Sequence, residues 1–450
     1  MKARSFTIVL CCAALAGCAS YRPQPLRQHA RLATGVAGLD RTRPGAAPIP
    51  ADQPLTPAEV SLLAVANSPA LKAFRARHGV AAAQVVQAGL LPDPVFSTGY
   101  DVLLAGPDFA NNFTAALTAD VGSLITLSAR RRAARQAAMD VDAQIVWQEW
   151  QTISRAQTLA IDLVEQGRLL ESLRDTLALL RHRAATTRRG IREGTATLQM
   201  LAPDISALIV LQTQLDAAVL AQQQRWQSLD LLLGLEPDVR PLLAHNVSVP
   251  AITPAEAASM LAALPRRRPD LIALQLGYAS QEARMRAAVL GQFPALTIGP
   301  NYTEDTSRTQ TVGPAVSIGL PLFNRNRGAI AIERASRTQL QAEYDDRLAT
   351  AESGARALLA NLGLEERQLR AAVAAKPEAR RLAVGAQTGL NRGLLDELSY
   401  VQLVVAKLDQ EQQVIGLEQL VLDERTALAT LLGAGLPPVK LVPPKSRSLL

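Results

Sequence analysis

Two periodicities alternate along this chain, and the alternation occurs twice. The first has a period of two. Over residues 112–120, Phe113, Ala115, Leu117 and Ala119 share one side of an extended chain, while Asn112, Thr114, Ala116, Thr118 and Asp120 share the other. Leu296, Ile298 and Tyr302 alternate in the same way with Thr297, Gly299, Asn301 and Thr303. Val312, Val316, Ile318 and Leu320 alternate with Thr311, Gly313, Ser317 and Gly319. Together with a less regular stretch at 95–104, these segments predict two strand pairs. Small and polar residues opposite apolar ones suit barrel strands with lipid outside and water inside. The same alternation also suits an ordinary half-buried hairpin.

The second periodicity is helical. A helix is expected over about 69–91, stopped by Pro92 and Pro94. After the first strand pair a long helix runs over about 128–189, where Leu163, Leu170, Leu173, Leu177 and Leu180 keep the spacing of a coiled-coil seam. It breaks at the glycine pair Gly190 and Gly194, around Arg192. A return helix over about 197–234 offers Leu198, Leu201, Ile205, Leu208, Leu215 and Val219 as the facing seam. The second half predicts a helix over about 327–388, a turn at Gly389, Arg392 and Gly393, and a return over about 395–433. The outgoing run of about 62 residues would be roughly 93 Å long at 1.5 Å per residue. A pre-strand helix of about 23 residues and a return of about 38 would stack end to end along it.

These halves are copies. Leu55-Thr56-Pro57-Ala58-Glu59 recurs as Ile252-Thr253-Pro254-Ala255-Glu256, and Asn67-Ser68-Pro69-Ala70-Leu71 as Arg267-Arg268-Pro269-Asp270-Leu271. The glycine pairs recur, and Leu229-Asp230-Leu231-Leu232-Leu233-Gly234 returns as Leu428-Ala429-Thr430-Leu431-Leu432-Gly433. Four landmarks in one order and register mark a tandem duplication. The expected organisation is a signal segment at 1–17, a linker at 18–54, a first repeat at 55–235, a linker at 236–251, a second repeat at 252–436 and a tail at 437–450.

Composition narrows the possibilities. Hydrophobic residues make up 48% of the 450 residues but aromatic residues only 4%, with a formal charge of +7. Alanine and leucine dominate, which favours long, closely packed helices. The arginines are dispersed and aromatic stacking platforms are sparse, so nucleic-acid binding is disfavoured. The four histidines are isolated, and no phosphate loop, nucleophile elbow or cysteine–histidine pair occurs. No catalytic residue, metal site or cofactor is therefore expected, and the chain is not read as an enzyme.

The three cysteines, Cys11, Cys12 and Cys18, all lie at the N-terminus. Lys2 and Arg4 precede the apolar run 6–15, and Leu15-Ala16-Gly17 precedes Cys18. This is the pattern of a secretory signal peptide, and a cysteine at that point resembles a bacterial lipobox. The resemblance implies lipid on Cys18, which would become the mature N-terminus, and Ala19 favours the outer membrane. Beyond the signal no uninterrupted apolar run reaches about 18 residues, so no transmembrane helix is expected. Any crossing must use strands. Two pairs give only four strands, whereas the smallest barrels need about eight, and an open sheet edge in lipid is forbidden. Several chains must contribute, and three would supply about twelve strands.

From about residue 55 to 436 the chain resembles the outer membrane efflux protein family, which is TolC-like. The likeness rests on the lipobox, the duplication, Arg268-Pro269-Asp270-Leu271 and the segment Gly319-Leu320-Pro321-Leu322-Phe323-Asn324-Arg325-Asn326-Arg327-Gly328. The Phe-Asn-Arg-Asn-Arg-Gly wording is most similar to members serving heavy-metal efflux. The resemblance implies a mainly helical fold: duplicated coiled-coil hairpins forming a periplasmic α-barrel, and a homotrimeric twelve-stranded β-barrel. It implies a passive outer-membrane channel for drugs or metal ions, a periplasmic adaptor (membrane fusion) protein and an inner-membrane pump of the resistance–nodulation–division type. The tips at Gly190–Gly194 and Gly389–Gly393 would receive the adaptor, although plain helix capping explains the glycines equally. Three copies of Asp396 would ring the tunnel mouth, or each would simply cap its helix. Ser399 and Tyr400 stand where the family often has a second acidic residue and its neighbour. Arg188, Arg189 and Arg192 crowd the first tip, and Pro203 and Pro377 suggest kinks near both. Trp147, Trp150 and Trp226 are expected to pack between helices. A type I protein secretion conduit and a non-conducting coiled-coil lipoprotein are the alternatives.

Overall fold

A computed structural model describes residues 21–43, 45, 47–105 and 111–439. The expected signal segment, Cys18 and the tail from 440 onward lie outside the described residues. In the first repeat, α1 (Pro57–Asn67), α2 (Pro69–Arg75) and α3 (Arg77–Gly89) lead to strands β1 (Val95–Asp101) and β2 (Asn112–Asp120). Helix α4 (Ser123–Arg192) and its return α5 (Leu198–Leu233) follow. The second repeat repeats the order with α6 (Pro254–Ala262), α7 (Leu264–Arg267), α8 (Pro269–Leu290), β3 (Ala295–Asp305), β4 (Gln310–Gly319), α9 (Arg327–Asn391) and α10 (Glu397–Leu432). Both repeats start with a capping box. Thr56 and Thr253 accept from the backbone N–H of Glu59 and Glu256, whose carboxylates accept from the threonine N–H groups.

Several expectations need correction. The helix expected over 69–91 is two helices meeting at Ala76, whose N–H is shared between the carbonyls of Lys72 and Phe74. Strand β1 ends at Asp101, short of 104. The long helices have 70 and 65 residues, so α4 reaches roughly 105 Å. The two short helices alone do not cover α4; α1 fills the middle, where Ser61 Oγ donates to the Ile153 carbonyl at 3.2 Å. Part of the stretch expected as an N-terminal linker packs instead, contributing Val36, Leu39 and Ile49 to the core. Helix α5 also contains an 18-residue window of mean hydropathy 1.4, long and apolar enough to cross a membrane by composition. Glutamines interrupt its apolar run, which is why no unbroken stretch was expected there.

Polar contacts fix how the helices lie. Along α4, Arg75 reaches Glu149 at 2.8 Å and His78 reaches Asp142 at 2.6 Å, so α2 and α3 cover its strand-side part. Further along, Gln166 donates to the Ala218 carbonyl at 3.0 Å and Arg183 to Asp204 at 2.9 Å, so α5 covers the remainder. In the second repeat α8 and α10 share α9 in the same way: Gln281 donates to the Glu333 carbonyl at 3.0 Å and Gln410 to the Ala372 carbonyl at 2.8 Å. The repeats join because α8 and α10 also lie on α4, where Ser280 donates to the Ala133 carbonyl at 2.9 Å and Trp150 to the Thr430 carbonyl at 2.9 Å. The protomer is thus a row of four staves: α2, α3 and α5; then α4; then α8 and α10; then α9. Trp147 and Trp226 also pack within this row, beneath Arg268 and Arg240. Arg268 holds Asp270 through two bonds, 2.9 and 2.7 Å, and donates to the Leu431 carbonyl at 3.2 Å, tying α8 to α10.

The strands follow the staves, in antiparallel order β1-β2-β3-β4. Their register aligns one face across the whole sheet. Phe96 and Tyr100 lie beside Leu117 and Phe113, then Tyr302 and Ile298, then Val312, Val316 and Ile318. Most of this face is exposed, including Val312 at 76% and Phe96 at 67%. Ser97, Thr114, Thr118, Thr297, Asn301, Thr303, Thr311 and Ser317 occupy the other face. One face suits lipid and the other water. Tyr100, Phe113 and Tyr302 gather at the end far from the helices, with Phe113 and Tyr302 edge-to-face at 6.4 Å. Exposed Phe293 and Phe323 lie at the helix end. In the junction after β4, Asn326 adopts a left-handed backbone (φ 54°) and donates to the Ala288 carbonyl at 2.7 Å, closing α9 onto α8.

Within β3, Pro300 lies opposite Pro314 of β4, and the β2–β3 ladder skips Leu117 and Thr118. A Cβ on Gly299 would come within 1.8 Å of the Leu117 carbonyl oxygen. Only glycine permits this approach. Gly299→Ala should therefore lower the thermal midpoint in detergent, at an overpacking cost of about 1–3 kcal/mol. Gly313→Ala, with nothing within 4 Å, should leave it unchanged. Equal midpoints for both variants would contradict this packing.

Candidate functional site at the helical tips

The core nearest the tips is built from Leu170, Leu173, Leu177 and Leu180 of α4, all buried as the heptad spacing predicts. The seam expected on α5 is right in its middle, where Leu208 and Leu215 pack against this core, and wrong at its ends. Leu198 is 74% exposed and Val219 43%, while Asp204, Leu211 and Ala218 are buried, seven residues apart. Asp204 hides the register because a carboxylate occupies a core position.

The two turns are alike. Helix α4 runs through Gly190 to Arg192, and α9 runs through Gly389 to Asn391, so neither glycine ends its helix as expected. The left-handed residues are Gly194 (φ 74°) and Gly393 (φ 69°). The Gly190 carbonyl accepts from Thr195 N–H at 2.8 Å, and the Gly389 carbonyl from Leu394 N–H at 2.8 Å. A side chain at 190 would crowd the returning chain, its Cβ 3.1 Å from Ala196 Cβ, whereas a Cβ at 389 would make ordinary contact with Leu395 Cβ at 3.4 Å. Arg188, Arg189, Arg192 and Arg392 are exposed. Asp396 is the N-cap of α10, accepting from Ser399 N–H and from Ser399 Oγ at 2.8 Å each. Those bonds hold its carboxyl below the ordinary value, so it is ionised at neutral pH. Pro203 and Pro377 do not break their helices; α5 and α9 continue through both.

A group not anticipated from the sequence lies just above these turns. Arg183 of α4 makes an ion pair with fully buried Asp204 of α5 at 2.9 Å and a second with Glu397 of α10. Its guanidinium lies 4.2 Å over the ring of Tyr400, whose hydroxyl donates to Gln387 of α9 at 2.7 Å. Burial pushes the Asp204 carboxyl up, and Arg183 opposes that shift. One arginine of the first repeat thereby holds both return helices. The spacing of Asp204 from Leu211 and Ala218 was the signal that could have exposed it. Beside this clamp, α5 and α10 enclose an apolar groove of about 690 Å³ lined by Pro203, Ala207, Val210, Leu398, Val401 and Val405 among others.

Residues 261–434, from the end of α6 through both tip elements of the second repeat, match the outer membrane efflux protein family. Over nearly the whole chain the fold is similar to that of solved channel proteins. It is similar to CusC, whose structures concern conformational changes accompanying folding and transmembrane channel formation: TM-score 0.71, 16% identity, covering 88% of this chain and 99% of that one. It is similar to the outer-membrane channel OprN, with TM-score 0.71, 15% identity and coverage of 92% and 99%. It is also similar to the CmeC outer membrane channel of Campylobacter jejuni, with TM-score 0.70, 14% identity and coverage of 93% and 95%. No curated protein matches the chain by sequence.

Arg183→Ala strands Asp204 without its cation, a loss of about 3–5 kcal/mol for a buried pair. Hydrogen exchange in peptides covering 198–211 and 397–405 should accelerate at least roughly tenfold while the strands are unchanged. Unchanged exchange at the tips would show that Arg183 is not the clamp.

Proposed function

We propose that this protein is an outer-membrane channel that closes as a homotrimer and conducts small molecules, drugs or metal ions, passively out of the cell. The observation that carries this reading is the sheet: four antiparallel strands with a continuous apolar face, a polar face, and open edges at β1 and β4. Lipid forbids those edges. A β4 edge meeting the β1 edge of the next copy preserves the antiparallel order. It also brings α9 beside the next copy's α3 and α5. The row of staves then closes into a tube below the barrel.

The tips would receive a periplasmic adaptor, with Gly190, Arg192 and Gly194 on one hairpin and Gly389, Arg392 and Gly393 on the other. The neighbouring groove between α5 and α10 suits the apolar stripe of a helical hairpin. The adaptor would link the channel to an inner-membrane pump of the resistance–nodulation–division type, which supplies the energy. Lipid on Cys18 would add an anchor to the outer membrane. At rest the Arg183 clamp keeps each protomer's return helices together, and adaptor docking would part them.

The purified protein in planar bilayers should show discrete conductance steps, and mass spectrometry should find diacylglycerol on Cys18. Asp396→Asn keeps the helix cap, since Asn caps as well as Asp. It should nevertheless lower the cation-to-anion permeability ratio, because three charges leave the mouth. Silence in the bilayer would remove the channel reading, and an unchanged ratio would remove Asp396 from the mouth.

A further inference from the structure

The arginines are dispersed along the sequence, but the fold gathers eight of them where the strands meet the helices. Arg130, Arg131, Arg132 and Arg135 lie in the first four turns of α4, with no acidic residue between Ser123 and Met139. Arg284 and Arg286 lie in the last two turns of α8, and Arg325 and Arg327 sit at the entry to α9. Across the stretches nearest the strands, 79–94, 121–139, 283–294 and 320–332, these eight are opposed by one carboxylate, Asp93. That excess equals the formal charge of +7 carried by the whole chain. The remainder of the molecule balances itself.

The protein does not consume these charges. The next acidic residues along the helices have other partners: Glu282 pairs with Arg337 at 3.5 Å, Glu333 accepts from Gln281, and Asp140 accepts from Gln144 at 2.8 Å in the field of Arg284. Among the described residues none of the eight makes an ion pair, and all but Arg130, which donates to the Ser123 carbonyl at 3.2 Å, are exposed. Their level is fixed by the strands. β2, β3 and β4 have 9, 11 and 10 residues, the length of a tilted strand that crosses hydrocarbon. Exposed Leu91, Ile125, Phe293, Leu320 and Phe323 form the last apolar row at the helix ends of the strands. The arginines begin just beyond that row. Arg325 is two residues after Phe323, and Arg132 follows Ile125 by two turns on the same stripe of α4, roughly 10 Å further along the axis. An exposed isoleucine at that level suits lipid rather than a water-filled lumen, so the stripe faces outward.

We infer that this arginine belt binds anionic phospholipid headgroups of the periplasmic leaflet and sets the depth at which the strands sit in the bilayer. The ligand is the phosphodiester of a lipid with net negative charge, such as phosphatidylglycerol. Guanidinium forks donate paired hydrogen bonds to phosphate oxygens, and the flexible stems carry the charged heads from the helix surface to the headgroup layer. The placement of the strands in lipid rests on the channel reading; the concentration of charge does not. Each arginine held at such a surface contributes roughly a fivefold preference for anionic over neutral lipid. The preference depends on long-range attraction, so salt weakens it.

Native mass spectrometry of the purified full chain tests this, in detergent with equal amounts of phosphatidylglycerol and phosphatidylcholine. The natural protein should retain the anionic lipid at least roughly fivefold over the neutral one. Binding at about 0.5 M salt instead of about 0.05 M should bring that ratio close to unity. In Arg132→Gln/Arg286→Gln/Arg327→Gln the ratio should fall at least roughly threefold. Arg367→Gln/Arg380→Gln/Arg381→Gln, which removes as much charge from exposed positions further along α9, should keep it. Equal retention of both lipids by the natural protein, a preference that ignores salt, or an undiminished ratio in a folded belt variant overturns the inference. If the belt variant does not fold, the salt arm decides. A belt variant with altered anion permeability but unchanged lipid retention would place the arginines on the lumen and overturn it as well. Entry into nanodiscs of phosphatidylcholine alone tests the strands separately: failure there removes the channel reading, whereas entry without a preference for phosphatidylglycerol removes only the belt.

Discussion

A strand edge cannot face lipid, because its N–H and C=O groups would have no partner there. That constraint organises the whole molecule. The sheet has four strands, one apolar face and two free edges, so on the proposed channel reading each chain supplies a fragment of a closed barrel. The helices inherit the problem, since each strand continues into or out of a stave. α9 lies at one end of the row, and α3 with α5 at the other. The exposed apolar residues of α5, such as Ile209 at 65% and Leu220 at 60%, fit the same need. A helix that is apolar enough to enter a membrane yet lies in a bundle requires a neighbour that one chain does not supply.

The helical part is joined by polar groups placed inside an otherwise apolar seam. Arg268 with Asp270, Arg183 with Asp204, and Arg168 with Glu418 all occur where one repeat meets the other or where a return helix meets its partner. Leucine seams give the helices their stability, but identical leucines in two copies would allow either repeat to pack in the other's place. Buried ion pairs contribute little net stability; they specify which helix lies where, and they concentrate the sites at which the bundle can be loosened.

Much of this was legible in the sequence, for reasons that can be named. Strand alternation at 112–120, 296–303 and 311–320 survived because the register keeps one face of the sheet apolar and the other polar along its length. The leucines of α4 kept their heptad because they face α5 and α10 continuously. The paired glycines and the Thr-Pro-Ala-Glu starts also revealed the duplication. What failed shares a cause: a polar residue taking a core position. Asp204 hid part of the α5 seam, and although Glu397 and Tyr400 stood near the expected mouth, nothing in the sequence joined them to Arg183. The glycine pairs were read as turns, and the left-handed backbone indeed falls at the second of each, Gly194 and Gly393, while the helices run two residues past the first. The N-terminal stretch around Ile49 carries no periodicity, so its burial could not be foreseen.

The account turns on β4 of one copy pairing with β1 of the next. A variant carrying Ser97→Cys at the middle of β1 and Ala315→Cys at the middle of β4 places both thiols on the polar face. Treated in detergent with a short thiol-specific cross-linker, it should run on a denaturing gel as covalent dimers and trimers, and each single-cysteine variant as monomer. A double variant that stays monomeric under conditions where both thiols react would contradict the closed assembly.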